Sequence, residues 1–108
     1  MTAMVYSPQQ IKFEFLSYIK EFGEPATSWR VGCSTNAEAT LADEQRIDLD
    51  RDLWIWKPAL SPAAARLVHR FFTNQFNVQD AGIAPDGSNV FLFMRRQVEN
   101  VPAAPRMG

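Results

Sequence analysis

Arg66, His69 and Arg70 stand at positions i, i+3 and i+4 of one stretch, the spacing at which side chains of a helix become neighbours. Two guanidiniums and an imidazole so placed can hold a phosphate or a carboxylate through charge-assisted hydrogen bonds. Arg30, in "SWRVGCST" (residues 28–35), is the fourth candidate binding residue. The competing reading makes all four ordinary solvated side chains, pairing with an acidic stretch elsewhere in the chain. No catalytic residue is assigned. His69 is the one histidine and Cys33 the one cysteine, too few for the ligand sets of a typical zinc site, so neither metal nor cofactor is expected. Ser34 and Thr35 are hydroxyls without a paired base. "GIAPDG" lacks the lysine and hydroxyl of a phosphate-binding loop. Trp54 and Trp56, with Arg95 and Arg96, have the composition of a stacking platform for single-stranded nucleic acid, but their alternation fits core packing better.

A chain of 108 residues supports one core and one domain, spanning 1–108. Its 46% apolar content, with eight Phe and three Trp, is that of a folded protein. The ordered core is expected over about residues 7–97, with a frayed start and a flexible tail from 98 to 108 rich in proline. The formal charge of −1 gives no bulk attraction to nucleic acid or membrane. Its distribution is uneven: Glu38 to Asp52 holds six acids and two arginines, and bases dominate from Leu53 onward. Partners are left open between nucleic acid and another protein. A lone cysteine on the apolar side of its strand fits a reducing compartment. With no signal-peptide pattern and no membrane-length apolar run, a soluble cytoplasmic protein is expected.

The elements that must position these residues follow from periodicity. Ser7-Pro8 opens a helix whose apolar face is Ile11, Phe15, Tyr18, Ile19 and Phe22, stopped by Gly23 and Pro25. "SWRVGCST" is a strand, with Gly32 marking close backbone approach. Asn36 caps a short helix through "AEATLADEQ", expected to lie shallowly on the surface because Leu41 is its only large apolar residue. "LWIWKPAL" is a strand apolar on both faces. Ser61-Pro62 opens a second long helix, with Ala64, Leu67, Val68, Phe71 and Gln75 on its apolar face. Residues 77–89 read as loop, and "VFLFMRR" as the last strand. The fold class is α+β in the order α-β-α-β-α-β, a three-stranded sheet flanked by helices.

"WRVGCSTNAEATL", "DLWIWKPALSPAAARLVHRFF" and "DGSNVFLFMRR" keep the order of a "YVG" strand, short helix, Trp-rich strand and Ala-rich helix. That order, over about residues 28–96, resembles the GIY-YIG nuclease superfamily. The resemblance implies a metal-dependent nuclease scaffold that uses strand tyrosines, a helix arginine and a metal-binding glutamate. Here Arg30 occupies the tyrosine position, Ala39 or Thr40 the arginine position and His69 the glutamate position. The second long helix holds no Asp or Glu, and no tyrosine follows Tyr18. The resemblance therefore implies a degenerate, non-catalytic domain acting as a binding or interaction module. The alternatives are weak nucleic-acid binding and, last, a nuclease with displaced residues. A carboxylate within about 4 Å of Arg30 or His69 would revive that last reading. The missing first strand of the family is expected to be replaced by "VFLFMRR" from the other end of the chain.

Overall fold

The computed structural model describes residues 5–96; the expected tail from 98 lies outside them. Helix α1 spans Pro8–Phe22, strand β1 Arg30–Ser34, helix α2 Ala37–Ala39, strand β2 Leu53–Pro58, helix α3 Pro62–Gln75, strand β3 Gln79–Ile83 and strand β4 Asn89–Met94. Both long helices start as their sequences dictate. The Ser7 hydroxyl accepts from the Gln10 N–H at 3.2 Å, and the Gln10 side chain accepts from the Ser7 N–H at 2.8 Å, closing a capping box. The Ser61 hydroxyl accepts from the Ala64 N–H at 3.1 Å. Gly23 ends α1 at φ 71°, in the left-handed region.

The sheet has four strands, not three, in the order β2-β4-β1-β3. The strand absent from the sequence reading is β3, inside the segment read as loop. It was hidden because it has no apolar alternation: four of its five residues are exposed, and backbone pairing to β1 alone makes it a strand. β3 runs parallel to β1, and β4 runs antiparallel to both β1 and β2. The last strand in the chain thus inserts at the centre of the sheet, between β2 and β1. Its core residues Val90, Phe91, Leu92 and Phe93 are all buried.

Alternation along the strands divides the core in two. On one face α1 and α3 cover Trp29, Val31, Cys33, Leu53, Val90 and Leu92. On the other, Ala37, Leu41 and Ile47 cover Phe91 and Phe93, with Trp54 and Trp56 packed alongside. The expected surface helix is therefore a lid on the sheet: one turn of α-helix runs into a π-helical turn, Thr40–Glu44, and Leu41 is 0% exposed. A single leucine suffices because the aromatic floor beneath it is broad.

The phase of α3 also differs from the expectation. Its buried residues are Ala64, Ala65, Val68, His69 and Phe72, while Leu67 is 50% exposed. The helix is turned toward His69, which finds a polar partner under it. Tyr6, read as frayed, forms a parallel bridge to Ala59, with its N–H on the Pro58 carbonyl at 2.8 Å.

Candidate functional site

The sheet separates the four nominated residues. Arg30 pairs across the strands with Phe93 and Gln79, and Phe93 belongs to the face covered by the 37–47 segment. Arg66, His69 and Arg70 lie on α3, which covers the opposite face. The four therefore do not face one concavity, because residues of even number in β1 point away from α3. Nor do the three helix residues share one surface. Arg70 is exposed, Arg66 is half-buried with its Nη1 3.5 Å from the Pro85 carbonyl, and His69 is only 6% exposed.

His69 points at β3. Its Nε2 is 2.9 Å from Asp80 Oδ1, and that oxygen also accepts the Gly82 N–H at 2.7 Å. The Gly82 N–H, and then the His69 hydrogen bond, hold the Asp80 carboxyl below its ordinary value. A carboxylate therefore does stand within the reach that a displaced hydrolytic centre requires. The second imidazole nitrogen, Nδ1, is buried without a hydrogen-bond partner. Among the described residues no three of His, Cys, Asp and Glu gather as a metal site. The pair instead ties α3 to the edge strand.

Arg30 joins two other arginines instead. Arg95 follows Phe93 by two residues and leaves β4 on the same face as Arg30. Arg30, Arg95 and Arg96 line one groove of about 890 Å³, with Gln79 at its wall and Glu24 its only acidic side chain among the described residues. Arg95 is pre-positioned: its guanidinium lies 5.3 Å from the Phe93 ring centroid and donates to the Gln45 carbonyl. The Arg96 N–H donates to Asp52 Oδ1 at 2.9 Å, which fixes the backbone where β4 ends. Among the described residues none of the three guanidiniums is in an ion pair. Arginines outside ion pairs that line one groove are suited to a phosphate or carboxylate. Arg95 and Arg96 were visible in the sequence only as a basic pair near the tryptophans; strand register is what brings Arg30 to them.

Trp54 and Trp56 are half-buried, so neither the core reading nor the platform reading holds in full. Trp54 donates its indole N–H to the Leu49 carbonyl at 2.9 Å, in a loop carrying Asp48, Asp50 and Asp52. Those carboxylates oppose a phosphate backbone laid across the indole. Comparison with protein-family models, with curated proteins and with solved structures found no match to the chain.

Proposed function

We propose that the protein is a non-catalytic binding module that takes a phosphate-bearing ligand in the groove of Arg30, Arg95 and Arg96. The observation that carries this is that three arginines, free of ion pairs among the described residues, line one groove. The acidic loop beside Trp54 favours a compact phosphate group or a short strand end over a long strand tracked across the sheet. A GIY-YIG-like scaffold without its catalyst is compatible with this reading: Arg30 stands at the tyrosine position, and α3 carries no carboxylate. The single cysteine supports a reducing, cytoplasmic setting.

The test is a titration of short single- and double-stranded DNA and RNA at low and moderate salt, with and without Mg²⁺, reading binding and cleavage together. Binding without cleavage is expected, weakening with salt. Arg30→Ala or Arg96→Ala should lower affinity about tenfold, and Arg66→Ala or Arg70→Ala should leave it unchanged. Cleavage, loss of binding through Arg66 or Arg70 instead, or no binding at low salt overturns the proposal.

A further inference from the structure

At the other end of β1 from the arginine groove lies a second hollow, of about 270 Å³, between the ends of β1 and β3 and the π-helical turn. Its chemistry is opposite in sign. Among the described residues, Glu44 is its only charged side chain, an exposed carboxylate without an ion pair. Thr40 adds a hydroxyl from the same turn, and Ser34 adds another from β1. Phe91, Ala81 and Ile83 give the hollow an apolar lining.

Ser34 is the unexplained group. It is 4% exposed, and its hydroxyl has no hydrogen-bond partner. A buried hydroxyl left unpaired costs stability, so each such group calls for an explanation. Its strand parity is that of Arg30 and Gly32, which turns it toward the hollow and away from α3. The walls are held in place without a ligand. Gln45 donates its N–H to the Thr40 carbonyl at 2.9 Å and its side-chain amide to the Ala81 carbonyl at 3.1 Å. Gly87 packs so closely on Ser34 that an added Cβ would lie 2.7 Å from the Ser34 nitrogen, which fixes Ser34 from behind.

We infer that this hollow is a site for a small primary ammonium group on a short apolar chain. The Glu44 carboxylate supplies the counter-charge, the Ser34 and Thr40 hydroxyls accept the remaining N–H donors, and the chain lies on Phe91. A carboxylate or phosphate is disfavoured because Glu44 repels it. A neutral alcohol forgoes the charge-assisted bond that makes the site selective. The same chemistry is offered by a free alkylamine and by a lysine side chain of another protein.

The experiment is a titration of the intact protein followed by amide NMR, using n-butylammonium, n-butanol, butyrate and a lysine-containing peptide as probes. Saturable shifts at Ser34, Thr40 and Gly82 are expected with n-butylammonium and not with butanol or butyrate. Glu44→Gln, an exposed substitution that leaves the spectrum folded, should weaken n-butylammonium about tenfold; Ser34→Ala should weaken it less. Binding of the peptide more tightly than the free amine assigns the source to a protein lysine, and the reverse order to a free amine. Equal shifts with the alcohol, shifts centred elsewhere or no saturation overturns the inference. Arg30→Ala leaves this site intact, so failure here is distinguishable from failure of the groove.

Discussion

Gly32 is where β1 meets its neighbours most closely. A Cβ there would lie 2.4 Å from the end of the Phe91 ring and 2.8 Å from the Gly82 carbonyl oxygen. Phe91 is buried and the Gly82 oxygen is backbone, so neither yields cheaply. Gly32→Ala is expected to destabilise the protein by about 1–3 kcal/mol, the range of overpacked cores, read by urea denaturation. Cys33, its neighbour, faces the helices. Burial pushes its thiol up to about 11, so it is protonated at neutral pH and is a poor nucleophile. A thiol reagent should therefore label Cys33 only as fast as the protein opens, with labelling complete in denaturant. Asp80 gives a pH signature. Its folded value lies below its unfolded one, so its contribution is present above about pH 3.9, the ordinary carboxylate value, and fades as pH falls through the folded value. Asp80→Asn should make stability less sensitive to pH below about 4, measured by denaturation at a series of acid pH values.

At the scale of elements, the exposed edges of the sheet are managed differently. On β2 the Trp54 N–H points outward and donates to the Tyr18 hydroxyl of α1 at 3.1 Å. Pro58 has no N–H to offer, and its carbonyl is taken by Tyr6. On β3 the chain advances three residues while β1 advances two, and the Gly82 N–H turns back onto Asp80. Blocked donors and a bulge are the usual defences of an edge. Tyr18→Phe removes one of them. It should cost about 0.5–1.5 kcal/mol and raise self-association, measured by denaturation and light scattering. The caps carry comparable weight: Ser61→Ala should lower stability by about 1 kcal/mol, whereas the exposed Leu67→Ala should change it much less.

At the scale of the whole molecule, charge is sorted by the fold more than by the sequence. The arginine groove opens where β1 begins and β4 ends, with the acidic loop beside it, and the Glu44 hollow opens at the other end of β1. A compact basic site on a chain of net charge −1 should show a shallow salt dependence. With two or three phosphates neutralised, the slope of log K against log salt is expected near −2 for single strands. A much steeper slope would mean a longer track than the groove supplies. Among the described residues no helix is long and apolar enough to cross a membrane.

Much of this was legible in the residues. Ser7-Pro8, Gly23 and Ser61-Pro62 set both long helices, because caps and proline geometry act locally. The alternation of β1, β2 and β4 was equally plain, since strand side chains must sort to two faces. Gly32 as a point of close approach followed from its place inside a strand. What the sequence left open depends on which strands become neighbours. β3 has no apolar pattern and is a strand only because β1 offers it hydrogen bonds. The pull of Asp80 on His69 could not be read without β3 beneath α3, and with it went the phase of the helix. The groove is the clearest case. Arg30 and Arg95 are far apart in the chain, and only the antiparallel register that sets Arg30 opposite Phe93 places their side chains on one face.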